Sequence, residues 1–330
     1  MVIPSRDGAA RLPETLGSVA SQDVGGPVEV VVVDDGSADA TAETAAAAPL
    51  PWGAPRIVRH GASRGRAAAR NTGLREARAA VVVLLDDDMT LLPGALETHR
   101  AHHDGSPGSV ALGRVVLADP PRETGFSRFL LREEREREQA LLEHAGDVPF
   151  RLCFTGHLSA DRAALVRAGG FDESIARYGF EDIDLGYRLR ERGVPVRYLP
   201  EARSVHRAFM TDLDRYLARH REAGRVARQL AARHPAGPFR EYLRVDAPAR
   251  LGIGNAPAGL VALRLAHLLL RSRAARRALG SRPAGAAGRL ALRGAEALGL
   301  ERLVHFGYHV ARDVRYFQGC FDDPPEGSPQ

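Results

Sequence analysis

The sequence predicts an α/β protein with a mixed, mainly parallel sheet flanked by helices, and a helical region at its C-terminal end. Three observations carry that prediction. The run Val81-Val82-Val83-Leu84-Leu85 has no polar face, the pattern of a strand buried on both sides of a largely parallel sheet. Strand-like and helix-like stretches alternate before and after it, the order that builds such a sheet. Beyond residue 212 the chain becomes rich in Arg, Ala and Leu at helical spacing.

Taken in order, Val2-Ile3-Pro4 is the stub of a first strand. It is shorter than the about five or six residues of an ordinary strand, so an upstream segment or a displaced start is expected. Leu12, Leu16 and Val19 recur at helical spacing over residues 12–22, with Pro13 suited to a first turn. Pro27 to Val33 reads as a second strand, ending in Asp34-Asp35-Gly36-Ser37. Gly36 permits a tight turn there, and Ser37 or Asp39 can cap the Ala-rich helix that follows. Residues 49–55 form a loop and Ile57-Val58 a short third strand. Ser63-Arg64-Gly65-Arg66 leads into a helix carrying Arg70, Asn71 and Gly73. Its N-terminus suits a phosphate, although no phosphate-loop signature precedes it. The aliphatic run at 81–85 is the fourth strand, and Pro93-Gly94 starts the next helix.

Composition narrows the function classes. The 330 residues suffice for two domains, and 44% hydrophobic with 26% charged residues is ordinary for a globular protein. All 46 basic residues are Arg, so a single arginine says little about function. Net charge is +5, with no basic tract interleaved with aromatics. Nucleic acid is therefore not the expected partner, while a membrane surface stays open. Cys153 and Cys320 have neither metal spacing nor a disulfide framework, which fits the cytoplasm. No apolar run reaches the about twenty residues of a membrane span.

Asp86-Asp87-Asp88 follow the fourth strand without a spacer. Open α/β sheets bind ligands beyond the carboxyl ends of their strands, and packed like charges call for a cation. Oxygen ligands suit Mg2+ or Mn2+, usually with substrate phosphates completing the shell. Continued strand alternation would send Asp86 and Asp88 to one side and Asp87 to the other. Capping of the next turn is the competing reading. Asp34 and Asp35 invite the same two readings, as acceptors for a ribose or base or as turn residues. Glu181-Asp182-Ile183-Asp184 opens a helix, where acids either complement the helix dipole or supply a base for hydroxyl attack.

These blocks together are similar to the nucleotide-sugar glycosyltransferases of family 2, which have the GT-A fold. The resemblance rests on IPSRDGAARLPETLGSVASQ, EVVVVDDGSADAT, RGRAAARNTG and VVVLLDDDMTLLPGAL, then TGHLSADRAALVRAGGFDE and YGFEDIDLGYRLRERG, in the family's order over roughly the first 210 residues. It implies a catalytic domain at 1–212, with a nucleotide-binding half to about 118 and an acceptor half from about 119. A helical region at 213–320 and a disordered tail at 321–330 follow. The implied reaction is metal-dependent, inverting transfer from a UDP-, dTDP- or GDP-sugar to a hydroxyl on a glycan, lipid-linked or small-molecule acceptor.

Asp35, with Asp34 beside it, maps to the nucleoside contact. Asp86 and Asp88 map to the DxD motif, Asp88 as the direct ligand of Mn2+ or Mg2+ and His206 as a third metal residue. Asp182 maps to the base, with Glu181 orienting the acceptor or sharing that role, and Asp184 as a cap. Pro4, Arg64, Asn71, Asp87, Gly156 and His157 lie in the same motifs and are expected substrate contacts. Arg6-Asp7 departs from the commoner Tyr-Asn, and His157 replaces a frequent Asn. A sugar nucleotidyltransferase is the rival enzyme, against which the missing Gly-rich phosphate loop counts. A non-catalytic nucleotide-sugar binder is the third reading, against which the intact acidic blocks count.

Outside these blocks, Phe126 to Glu143 reads as a helix with a charged, solvated middle, or as a lid or acceptor platform beside the site. A further helix is expected at 161–168, ended by Gly169-Gly170, and a strand at Val194–Leu199. Leu260, Val261, Leu265, Leu268 and Leu269 make an apolar helix face, with Arg264, His267 and Arg271 opposite. That pattern fits packing on the catalytic domain, with membrane contact at the inner face of the cell membrane as the alternative. Gly280 to Gly288 reads as a hinge before a helical stretch at Leu290–Tyr316.

Overall fold

A computed structural model describes residues 1–175, 177–245, 270 and 272–322. It divides into two compact, interleaved units. The first comprises Met1–Asp119, Glu133–Ala176 and Glu181–Phe209; the second comprises Pro120–Arg132, Arg177–Phe180 and Met210–Gln330.

The first unit is built on an eight-stranded sheet of order β3-β2-β1-β4-β7-β6-β8-β5. The strands are β1 (Val2–Ser5), β2 (Val31–Asp34), β3 (Arg56–Arg59), β4 (Val81–Leu85), β5 (Met89–Leu91), β6 (Val110–Leu117), β7 (His157–Asp161) and β8 (Val196–His206). The β3-β2-β1-β4 half is parallel throughout; β7 and β5 run antiparallel to their neighbours, so the sheet is mixed. Helices α1 (Leu12–Ala20), α2 (Thr41–Ala46), α3 (Arg66–Glu76) and α4 (Ala95–Gly105) connect the early strands. Helix α5 (Gly125–Glu143) belongs to this unit from Glu133 onward and to the second unit before it; α6 (Arg162–Arg167) and α7 (Glu181–Glu191) follow.

Alternation along each strand buries both sheet faces. Val2, Leu84, Leu112, Leu158 and Tyr198 pack on one side with Phe171, Leu185 and Leu189. Ile3, Val32, Leu85 and Leu91 pack on the other with Leu12, Leu16 and Val19 of α1. Val81, at the entry to β4, and Val116, near the end of β6, escape this double cover, each at 38% exposure.

Four expectations are corrected. The second strand begins at Val31, where the ladders to Val2 and Arg56 begin; in Pro27–Val30 ahead of it only the backbone carbonyls of Glu29 and Val30 are bonded, by the Met1 amino group and the Arg56 N–H. Neither Ser37 nor Asp39 is the N-cap residue of α2, although Asp39 does accept the N–H of Thr41. The late strand runs on from Leu199 to His206, since Pro200 sits in an irregularity opposite Gly113 and Arg114 and interrupts nothing beyond it. The hinge at 280–288 is instead mostly helix, as described below.

The second unit is helical: α8 (Leu213–Arg233), α9 (Pro238–Leu243), α10 (Arg273–Leu279), α11 (Arg282–Ala297) and α12 (Glu301–Phe321). Ser281 caps α11 by accepting the N–H of Ala284, and Pro283 lies in its first turn, so the Gly/Ala stretch is helical from Arg282. The break falls later, at Gly299, whose φ of 67° closes α11 and divides the stretch expected at 290–316. Phe126, Phe129, Ala295, Val304 and Tyr308 form the core. Helices α8 and α12 touch backbone to backbone, because a Cβ at Gly319 would strike the carbonyl of Arg221 and one at Gly224 that of Tyr316. The expected helix face at Leu260–Leu269 lies outside the described residues; the tail expected from 321 is corrected at its first residue, since α12 includes Phe321, and from 323 it too lies outside them. No described helix is long and apolar enough to cross a membrane.

Candidate active site

One guanidinium gathers three acids from two elements. Arg70, in α3, is 2% exposed. Its Nη2 donates to Asp86 Oδ1 at 2.8 Å, and its Nη1 donates to Glu181 Oε1 and Asp182 Oδ1, each at 3.3 Å. The Phe171 ring lies 5.4 Å from the guanidinium carbon. Burial opposes the charge on Arg70, but Asp86, Asp182 and Glu181 outweigh it and hold the group firmly protonated.

Asp182 stands in the first turn of α7 and keeps 20% of its side chain exposed. It also accepts the Thr155 hydroxyl, and the Thr155 N–H at 3.3 Å. Burial and the neighbouring charge of Glu181 push its pKa up to about 6, against the pull of Arg70 and Thr155. A carboxylate poised near neutrality is suited to taking a proton. Asp184 instead pairs with Arg188 one turn on, at 2.7 Å, as a structural partner.

The second cluster is fixed by strand register. Met89 of β5 pairs with His206 of β8, which brings the His206 ring beside the preceding residue, Asp88. Nε2 of His206 lies 3.2 Å from Asp88 Oδ2, and the Arg207 N–H donates to the Asp88 carbonyl at 3.0 Å. Burial works against both charges, yet their mutual hydrogen bond lowers the Asp88 pKa and raises that of His206. One carboxylate and one imidazole suit a transition-metal dication such as Mn2+ better than Mg2+, which prefers oxygen donors, and they leave positions for phosphate oxygens and water. Among the described residues, Asp86 does not close a three-residue ligand set with them; its carboxylate is turned to Arg70.

Asp87 leaves its neighbours, although not by strand alternation. The strand ends at Leu85, and Met89 N–H donates to the Asp86 carbonyl, closing a turn. Asp87 then accepts Ser5 Oγ and Arg11 Nη2, the latter at 2.8 Å, tying this turn to β1 and α1. Asp35 is similarly engaged: His60, Ser63 and the N–H groups of Arg64 and Gly65 all bond its carboxylate at 2.7–3.0 Å. Burial alone would raise its pKa, and these donors lower it. Asp34 is fully buried, accepts the Ser37 N–H and lies 3.2 Å from Arg59 Nε.

The other expected contacts divide. Gly156 borders the site, since a Cβ there would come 3.1 Å from Asp86 Oδ2. Pro4 lies within β1 opposite Val33. Arg64 is half exposed and pairs with Glu173 at 3.0 Å. Asn71 brackets Phe171, donating to its carbonyl and accepting its N–H, both at 2.8 Å, so it holds a turn. His157 is corrected: it is 1% exposed, with Nε2 3.0 Å from His99 Nε2, and does not reach the carboxylates. Arg70 and Thr155 were not foreseen. In a chain whose only basic residue is Arg, the signal for Arg70 was its neighbour Asn71 in RNTG and nothing else.

Two expected results follow directly. Arg70→Gln leaves three carboxylates facing one another without their cation, which should cost about 3–5 kcal/mol of stability in urea unfolding. An unchanged midpoint would show that the acids are balanced some other way. The second concerns His157, whose pKa burial lowers from 6.5 to about 4. The unfolded chain binds the extra proton between those values, so the stability contribution is complete above pH 6.5 and lost as pH falls towards about 4. The loss should approach about 3 kcal/mol at the acid end. Urea midpoints from pH 7 to 4 should fall less steeply in His157→Asn; parallel curves would refute the assignment.

A mixed sheet with acids at the ends of β2 and β4, faced by the acidic start of α7, defines the GT-A class of architecture. The sequence profile described as glycosyl transferase family 2 matches residues 1–156, and that of the N-terminal domain of galactosyltransferase matches residues 139–212. The chain belongs to glycosyl transferase family 2. It is 31% identical over 256 residues to validoxylamine A glucosyltransferase of Streptomyces hygroscopicus subsp. jinggangensis, covering 67% of this chain and 60% of that protein. It is 32% identical over 243 residues to pre-mycofactocin glycosyltransferase of Mycobacterium tuberculosis, covering 71% and 48%. The chain thus spans less than two thirds of the length of these relatives. Among solved structures, a mannosyltransferase of Pyrobaculum calidifontis in complex with GDP-Man and Mn2+ superposes with a TM-score of 0.59 at 21% identity, over 98% of this chain and 87% of that one. TarS 1-349 of S. aureus gives 0.53 at 16%, over 97% and 89%. At these identities the likeness establishes the fold alone.

Proposed function

We propose that this chain transfers a sugar from a nucleoside diphosphate donor to a hydroxyl acceptor with inversion, Asp182 serving as base. The observation that carries the reading is the Arg70 cluster, which holds Asp182 and Glu181 of α7 on the same guanidinium as Asp86 of the β4 turn. A base and a donor-side carboxylate are thereby kept in fixed relation. The complexes of the structural relatives with GDP-Man and Mn2+, and with UDP-GlcNAc, support a nucleotide-sugar donor.

Asp88 and His206 would hold Mn2+ or Mg2+, and the ion would supply charge to the diphosphate leaving group. Asp35 fixes the loop 60–65, so that its backbone and the half-exposed Arg64 present a polar edge to a nucleoside. Thr155 and Arg70 orient the Asp182 carboxylate, which accepts the hydroxyl proton as the acceptor oxygen attacks the anomeric carbon from the face opposite the leaving group. Glu181 raises the basicity of Asp182 and would share in orienting the acceptor.

The test is incubation with Mn2+ and a panel of UDP-, dTDP- and GDP-sugars, read by release of nucleoside diphosphate. Release that depends on added metal and on an acceptor is expected. Pyrophosphate release from a sugar phosphate and a nucleoside triphosphate would assign the chain to the nucleotidyltransferases. Binding of the donor without turnover over any acceptor would assign it to the binders.

A further inference from the structure

The charge of this chain is unevenly placed. Its net charge is +5, and residues 272–303 carry seven arginines against two glutamates, so the remaining sequence is balanced. The same stretch exposes its leucines. Leu290 and Leu298 are 73% and 75% exposed, and Leu300 and Leu303 are 46% and 55% exposed. Within α11, Leu290 shares one face with Ala286, Gly294 and Ala297 by helical spacing, and these positions are exposed. Arg289 and Arg293 flank that face, also exposed. The opposite side of α11 is already spoken for, since Leu292 and Ala295 pack with Phe126, Phe129 and Tyr308. The outward leucines therefore do not belong to the core of this unit.

We propose that this face of α11, with the turn leading into α12, docks on an anionic lipid bilayer. Leucine side chains would enter the boundary between head groups and acyl chains, and Arg289, Arg293 and Arg302 would meet lipid phosphates. The sixteen residues of α11 would lie along the surface for about 24 Å, at 1.5 Å per residue. Charge complementarity selects the anionic surface: an apolar strip with basic flanks suits neither a neutral bilayer nor a second basic copy of itself. The contact is peripheral, because no described helix can cross a membrane. It does not depend on the transfer chemistry.

The test is co-sedimentation of the full chain with vesicles of phosphatidylglycerol and phosphatidylcholine, compared with phosphatidylcholine alone. Binding about tenfold or more stronger to the anionic vesicles is expected, weakening as salt rises. Leu290→Glu combined with Leu298→Glu should lower it about tenfold or more, and Arg289→Gln, Arg293→Gln and Arg302→Gln together should lower it and flatten the salt dependence. All these positions are exposed, and far-UV circular dichroism checks that the variants keep their helices. Equal binding to both vesicle types, no binding to either, or binding untouched by the leucine changes would overturn the proposal. A dimer seen by ultracentrifugation and dissolved by the leucine changes, without vesicle binding, would assign the face to contact between copies of this chain.

Discussion

Asp182→Asn is expected to lower sugar transfer by about a hundredfold or more, the usual scale of general-base catalysis. The amide keeps the shape of the carboxylate and can still accept from the Thr155 hydroxyl and from Arg70 Nη1, the partners recorded for Asp182 Oδ1. It cannot take a proton. Donor affinity should be nearly unchanged, and stability should move little, since Asn replaces Asp in a first turn at small cost. The parent should also gain rate as pH rises through about 6, where Asp182 loses its proton, and the variant should lack that limb. Transfer within a few-fold of the parent would move the role to Glu181, where the same exchange should then be made.

Asp88→Ala is the second large effect. Asp88 is the carboxylate bonded to His206, so its removal takes the acidic ligand from the proposed pair and leaves the imidazole to hold a divalent cation. The affinity that Mn2+ adds to nucleoside diphosphate binding should fall by about tenfold or more, because phosphate charge is then left uncompensated. Calorimetry with and without Mn2+ measures that difference. An equal metal effect in parent and variant would place the cation elsewhere.

The fold was legible where hydrophobic pattern and punctuation agree. Residues 81–85 have no polar position and 12–20 follow a helical period, and both elements stand where expected. Three strands had no such signal. Gly113 interrupts β6; β5 has three residues and exists only through its pairing with β8; and β7 begins with a histidine. Long-range pairing supplies what those segments lack in local preference. The acids of the site were legible as types in sequence, but their partners were not. Asp87 and Asp86 are adjacent and chemically identical, and only the turn at 86–89 decides that one faces Arg11 and the other Arg70. His157 shows the converse: its motif position suggested a ligand contact, and the pairing of β7 between β4 and β6 buries it.

Arg70 gives the cluster a resident counter-ion. Asp86, Glu181 and Asp182 can assemble around it without waiting for a metal, so folding would be separate from loading of the proposed metal site. Treatment with a chelator should stop transfer while lowering the melting temperature by no more than mass action of a lost ligand predicts. A cell short of manganese would then hold a standing reserve of folded, idle protein, returned to work at the speed of ion capture and not at the speed of refolding.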